Sequence, residues 1–255
     1  MTVSPAASTL DLIIPCYNEV ESVPQLLRGL SVLKSRMAEP DLTVIFVDDG
    51  SDDGTSGLLN DAVQAHSWMT VVRHESNRGI AAATLTGARA SSSDVVATID
   101  ADGSYSLDSL PSLFAELTPG VDVVTASPYH RQGKVVDVPR WRLSLSRGAS
   151  LLYGLTLRQR ISTYTSCFRV YRREALLDVE LSDGGFTGIA EILALVAMKG
   201  GRIVEVPAVL ARRVHGRSKM RILRTVFGHL RLLGRLWRIR LRGTVHESRS
   251  SLGSS

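Results

Sequence analysis

The sequence predicts an α/β fold, a doubly wound and mostly parallel sheet that carries a basic helical extension near its C-terminus. Three observations predict it. Apolar runs of strand length alternate with segments of helical period through the first half of the chain, the order of a parallel sheet with right-handed crossovers. Residues 42–49 and 95–102 are apolar nearly throughout and then end in carboxylates, as strands buried on both faces do when they deliver charge to one edge of a sheet. The chain has 255 residues and 44% hydrophobic content, enough for one large domain with a full core.

In chain order, residues 1–9 read as a disordered lead, and 10–15 as a short strand that Pro15 ends because proline cannot donate to a ladder. A loop, Cys16-Tyr17-Asn18-Glu19, leads into a helix over 20–34, with Val23, Leu26, Leu27, Leu30 and Leu33 on one face. A second strand covers 42–49, a turn-rich loop 50–55, a helix 58–65 and a third strand 70–72. Asn77-Arg78-Gly79 is a turn, followed by a small-residue helix over 80–90 and a strand over 95–99. A helix over 107–117 and a fifth strand over 121–126 complete the alternation. Residues 129–139 are polar and read as a mobile loop. Helices are expected over 141–157 and 187–199, loop and strand over 163–171, and one or two strands over 202–213 around Pro207. Residues 215–220 form a basic loop, 221–242 an arginine-rich helix and 244–255 a disordered tail. The domain thus spans 10–220, with the basic amphipathic helix over 221–243.

The net charge of +5 hides an asymmetry. Residues 202–242 hold twelve Lys and Arg against Glu205 alone, a local charge of +11 that leaves −6 for the rest. Such a segment suits an anionic partner, nucleic acid or an anionic membrane. No apolar stretch reaches the roughly 18 residues needed to span a bilayer. Residues 1–9 lack the charged start and apolar core of a signal peptide. The expectation is a cytoplasmic protein, peripheral at the cytoplasmic membrane face. Cys16 and Cys167 are the two cysteines; free thiols fit that compartment, with a disulfide between them as the alternative. The six histidines are scattered without metal spacing.

Chemistry concentrates at Asp100-Ala101-Asp102. Carboxylates two residues apart on a chain leaving a strand can share a hard cation, Mg²⁺ or Mn²⁺, whose other partners are usually substrate phosphates. The bland alternative for Asp102 is a turn residue before Gly103, and for Glu19 and Asp53 the capping of helices. A calcium loop over 48–53 lacks the terminal Glu that such a loop requires. Along residues 222–241, Ile222, Leu223, Val226, Phe227, Leu230, Leu233, Leu236, Trp237 and Leu241 form an apolar stripe among arginines. It suits a helix lying in an anionic interface, or packing on the domain or on a second subunit. A nucleic-acid reader is disfavoured, because the segment lacks aromatic interleaving and leaves the acidic motifs unexplained.

Pro15-Cys16-Tyr17-Asn18-Glu19, Val47-Asp48-Asp49-Gly50-Ser51, Asn77-Arg78-Gly79 and Asp100-Ala101-Asp102 occur in the order seen in family 2 glycosyltransferases. Thr165-Ser166-Cys167-Phe168-Arg169 and Gly216-Arg217-Ser218-Lys219-Met220 resemble segments of dolichol-phosphate mannose synthases and related polyprenyl-phosphate glycosyltransferases. The resemblance spans residues 10–221. It implies a GT-A fold and metal-dependent, inverting transfer of a hexose from a nucleoside-diphosphate sugar, GDP-mannose or UDP-glucose, to a polyprenyl phosphate. A soluble small-molecule acceptor stays open. By resemblance Pro15, Tyr17, Glu19, Asp48, Asp49, Asn77 and Gly79 bind the nucleotide, and Ser104 joins Asp100 and Asp102 at the metal. Arg142, Ser146, Arg169, Arg217, Ser218 and Lys219 are the candidates to hold phosphate, which guanidinium groups suit by bidentate contact. Where relatives have Asp, Gly and Arg, this chain has Thr163, Cys167 and Pro128. Arg131, Arg140 and Arg142 are the nearby candidates to replace the missing Arg.

Overall fold

The computed structural model describes residues 9–157, 161–213 and 222–251, apart from the side chains of residues 142, 222–224 and 242–251. Among the described residues the order is β1 (Thr9–Cys16), α1 (Val23–Arg36), β2 (Asp41–Asp48), α2 (Thr55–Ala65), β3 (Met69–Arg73), α3 (Ile80–Ala90), β4 (Val95–Thr98), α4 (Leu110–Ala115), β5 (Val123–Ser127), β6 (Lys134–Val136), α5 (Arg140–Leu157), β7 (Arg169–Arg172), α6 (Arg173–Leu177), α7 (Phe186–Met198), β8 (Ile203–Pro207), β9 (Val209–Ala211) and α8 (Ile222–Ser251). The main sheet runs β3-β2-β1-β4-β7-β5-β8. It is parallel except for β7, which lies antiparallel between β4 and β5.

Period-2 alternation within the apolar runs builds two cores, one on each face of the sheet. Leu10, Leu12 and Ile14 of β1 face Leu26 and Leu30 of α1 and Leu110 of α4. Ile13, between them, faces Ala81 and Leu85 of α3 and Ile189 of α7. Both faces are covered, so these strands read as continuous apolar runs. The carboxyl ends of β1, β2 and β4 then share one edge: Cys16 pairs with Asp48, and Ile13 with Thr98.

Several boundaries differ from expectation. The segment 129–139, expected to be a mobile loop, contains β6, whose residues pair in register with β9. The pairing partner lies more than seventy residues away in sequence, so local patterning could not show it. The helix α8 runs to Ser251 and covers part of the expected disordered tail. Once a helix is nucleated each added residue closes another backbone hydrogen bond, and no proline follows Arg242 to stop it. The basic loop over 215–220 lies outside the described residues, as do 1–8 of the expected lead.

The helix α8 is in part a packed element. Leu232 and Leu236 are buried in the core formed with α3 and α7, while Phe227, Leu230, Trp237 and Leu241 are exposed on its other side. Beside it, Tyr153 of α5 has its hydroxyl 2.8 Å from Nδ1 of His229. On α5, Trp141, Leu145, Leu151, Leu152 and Leu155 are exposed as well. Two neighbouring helices thus present apolar surface to the outside. Leu236→Ala is expected to lower stability by about 2–5 kcal/mol, the cost of a cavity at a buried leucine, measured by urea denaturation. An unchanged midpoint would mean that α8 does not dock as described.

Candidate active site

The loops at the carboxyl edge of the sheet are built by short polar side chains that tie one loop to the next. Asn18, in the left-handed region at φ 53°, donates its backbone N–H to Ser51 Oγ at 2.9 Å and its side-chain amide to Asp52 at 2.7 Å. The Glu19 N–H donates to Thr55 Oγ1 at 2.8 Å, and Asp53 accepts from Val20 and Thr55. Asp53 therefore joins the start of α2 to the first loop, close to its capping alternative. Asp48 is fully buried and accepts from Ser51 N–H at 3.0 Å and from the Ser56 hydroxyl. It shapes the loop from behind and does not line the cavity, so the expected nucleotide contact at Asp48 is corrected to a structural one.

Asp49 is buried but turned the other way. Its carboxylate accepts from the N–H groups of Arg78 and Gly79, each at 2.8 Å, and lies 2.7 Å from His74 Nδ1. The other nitrogen of that ring sits 2.9 Å from Thr86 Oγ1 on α3. Asp49 thus sets the Asn77-Arg78-Gly79 turn against the sheet. Gly79 has φ +94°, and a Cβ there would fall 2.4 Å from the Gly184 carbonyl oxygen. That oxygen accepts from the N–H groups of Ala81 and Ala82 in the first turn of α3.

These loops enclose a cavity of about 780 Å³ lined by Pro15, Tyr17, Glu19, Asp49, Asn77 and Gly79. Asp100 and Asp102 form its floor, and 182–187 and Arg213 its far wall. Burial, and then the charge of Asp102, push the Asp100 carboxyl up to about 7. Asp102 accepts from the Ser104 N–H at 2.9 Å and pairs with Arg213 at 2.9 Å. Among the described residues no group of three His, Cys, Asp or Glu clusters as a metal site. Two adjoining carboxylates whose charges repel fit a hard divalent cation that takes its remaining oxygens from diphosphate and water. Ser104 contributes its backbone to Asp102 and stands on the wall of a second cavity.

That second cavity, about 830 Å³, shares Asp102, Phe186, Arg213 and Thr225 with the first. Leu143, Leu145 and Leu152 of α5 line one side, and Val226, Leu230 and Leu233 of α8 the other. Ser146 lies on its wall, with its hydroxyl 2.7 Å from Thr165 Oγ1. It is an apolar groove whose inner end meets the Asp102–Arg213 pair.

Arg169, expected to hold phosphate, does something else. It is fully buried, and its guanidinium donates to the carbonyls of Tyr164 at 2.7 Å and Ile189 at 2.8 Å. Its place on β7, between β4 and β5, takes it into the core as a clamp between the 161–168 loop and α7. Arg217, Ser218 and Lys219 lie outside the described residues, as does the side chain of Arg142. Both cysteines are buried and free. Sequence reading missed Arg213 and the 182–187 wall. The Gly184-Gly185 pair before an apolar helix was a turn signal, but nothing local tied it to the loops at the sheet edge.

Residues 11–179 match the model of glycosyl transferase family 2. Polyprenol monophosphomannose synthase of Mycolicibacterium smegmatis is 34% identical over 86% of this chain and 83% of its own length. Undecaprenyl-phosphate mannosyltransferase of Micrococcus luteus is 32% identical over 82% of this chain and 86% of its own. Dolichol-phosphate mannosyltransferase of Pyrococcus furiosus is 30% identical over 89% of this chain, which spans 63% of that longer protein. Among solved structures, mannosyl-3-phosphoglycerate synthase of Rubrobacter xylanophilus superposes with TM-score 0.68 at 22% identity, covering 92% of this chain and 75% of its own. Glucosyl-3-phosphoglycerate synthase of Mycobacterium tuberculosis, in complex with Mn²⁺ and UDP, superposes with TM-score 0.66 at 19% identity, covering 89% and 80%. The motifs at the sheet edge, the fold and these relatives agree: the chain belongs to glycosyl transferase family 2 and has the GT-A fold.

Proposed function

We propose that this protein transfers a hexose, mannose from GDP-mannose in the first instance, to a polyprenyl phosphate at an anionic membrane surface, with inversion at the anomeric carbon. The observation that carries the reading is the pair of joined cavities. One is polar, ringed by nucleotide-binding motifs; the other is a leucine-lined groove between α5 and α8, and Asp102 and Arg213 stand where they meet. A donor with a charged diphosphate fits the first, and a phosphate on a long apolar chain fits the second. UDP-glucose as donor and a soluble phosphorylated acceptor are the alternative; the leucine lining favours the lipid.

The residues divide the work. Asp100 and Asp102 would hold Mg²⁺ or Mn²⁺, and the bound cation would supply Lewis-acid neutralisation of the leaving diphosphate. Tyr17, Glu19 and Asn77 face the base and ribose side of the donor, and Asp49 keeps their loops in place. Arg213, with Ser146 on the groove wall, orients the acceptor phosphate toward the anomeric carbon, and orientation is a large share of such a barrier. The bond from that carbon to a phosphate oxygen forms as its bond to the diphosphate breaks. A phosphate acceptor is already an anion, so no strong general base is needed, and Thr163 in place of Asp is tolerated. Among the described residues no helix is long and apolar enough to cross a membrane; the exposed apolar residues of α5 and of α8 over 227–241 would rest on the surface instead.

Sugar nucleotides with Mn²⁺ are expected to raise the melting temperature of the wild type, with GDP-mannose giving the largest shift. Asp102→Asn is expected to lower kcat/KM by about 100-fold or more while the protein stays folded, since a ligand acting on leaving-group charge is worth several kcal/mol. Full activity in that variant would sink the metal assignment.

The raised pKa of Asp100 has a sign. Its folded value, about 7, lies above the ordinary 3.8, so the folded chain binds the extra proton. Without divalent cation, this carboxyl's contribution to stability is expected to fall as pH rises between those values and to level off above 7. Protons compete with the cation, so Mn²⁺ affinity is expected to rise about tenfold from pH 6 to pH 8, read by calorimetry. A pH-independent affinity would show that Asp100 is not a ligand.

A further inference from the structure

Glu191 lies on α7, buried at 0% exposure, and belongs to no motif of the donor cavity. Its carboxylate accepts from the N–H groups of Ser182 at 3.0 Å and Asp183 at 3.2 Å, from the Ser182 hydroxyl at 2.7 Å, and from the Arg235 guanidinium. Ser182 and Asp183 begin the wall that continues through Gly184 and Gly185, and Gly184 is the residue that closes on Gly79 and on the first turn of α3. Arg235 belongs to α8, whose apolar side chains Phe227, Leu230, Trp237 and Leu241 are exposed. The two helices also touch closely at Gly228, where a Cβ would fall 2.5 Å from Thr187 Oγ1.

We propose that Glu191 is the positioning residue of the donor cavity wall, and that its pairing with Arg235 makes that wall respond to whether α8 rests on an anionic lipid surface. The donor and lipid parts rest on the function proposed above; the anchoring of residues 182 and 183 by Glu191 and Arg235 does not. A buried carboxylate needs a counter-charge, and removing one partner of such a pair is costly because the other stays buried. Here the cost falls on the loop whose amides share the carboxylate. Seating α8 on a bilayer fixes the helix that carries Arg235, and with it Glu191, Ser182 and Asp183. The charge pair transmits the state of the surface to the wall that touches the donor.

The test is hydrogen exchange of the full chain, followed at residues 181–186 and compared with the rest of the sheet. In solution, Arg235→Gln is expected to speed exchange at 181–186 about tenfold, the worth of one hydrogen bond to a charged group, with the central strands unchanged and partial recovery in Arg235→Lys. Glu191→Gln is expected to act in the same place. Unchanged exchange at 181–186 in Arg235→Gln, or an equal increase over the whole sheet, would overturn the positioning role. Phosphatidylglycerol vesicles are expected to slow exchange at 181–186 in the wild type and not in Arg235→Gln, and phosphatidylcholine vesicles to do neither. Vesicle binding that protects α8 in both proteins but leaves 181–186 alike would overturn the coupling. A second readout is kinetic: Arg235→Gln is expected to raise the KM of whichever of GDP-mannose and UDP-glucose is turned over, with kcat and the acceptor KM held within about twofold. A loss confined to kcat would overturn the positioning role. Failure of both donors to bind counts against the proposed function, and the exchange measurement in solution still decides the Glu191–Arg235 pair.

Discussion

The constraint on which the site depends is the negative charge at the end of β4. That strand is buried along its whole length, and the chain leaving it carries Asp100 and Asp102 to the floor of a cavity. Two carboxylates so placed cannot both stay ionised without compensation, which is why burial and its neighbour raise Asp100 to about 7. Arg213 balances Asp102 from one side. The other buried carboxylates of the region are treated differently. Asp48, Asp49 and Glu191 each accept several hydrogen bonds from loop amides and hydroxyls and so act as loop anchors. The division between anchored carboxylates and the pair at the cavity floor separates those that hold loops from those that charge the cavity.

Much of this was legible in the sequence. The strands of the first half and the small-residue helix α3 follow from apolar runs and their breaks, because both faces of the sheet are covered. The sheet-edge motifs fall where expected, because parallel strands end on one side. What was not legible depended on contacts between distant segments. β7 looked like any short strand, yet it inserts antiparallel between β4 and β5 and carries Arg169 into the core. A family motif placed that arginine near phosphate; register placed it against the carbonyls of Tyr164 and Ile189. Asp48 and Asp49 are adjacent in sequence and point to opposite sides of the strand end, so one shapes the loop and the other faces the cavity. Periodicity cannot separate the two roles when both residues are acidic.

The basic half of the chain held the larger ambiguity. Its stripe of leucines suited a membrane face or ordinary packing, and the helix packs in part: Leu232 and Leu236 enter the core while Phe227, Leu230 and Trp237 are exposed. It also helps form the groove opposite α5. One helix therefore touches the core, the groove and the outer surface, which explains why no single hydrophobic pattern described it. Arg213 was hidden for a similar reason. In sequence it is one of twelve cations over 202–242, and in space it meets Asp102 at 2.9 Å.

The central claim is that the two cavities bring a sugar nucleotide and a lipid phosphate together. The most direct measurement is transfer of radiolabelled mannose from GDP-mannose to undecaprenyl phosphate in phosphatidylglycerol vesicles with Mn²⁺, followed by partition between water and organic solvent. Label is expected to move into the organic phase in an acid-labile, phosphate-linked form, and to stay in water when the lipid phosphate is omitted. Label that remains in water with the acceptor present, while the donor is consumed, would contradict a lipid acceptor.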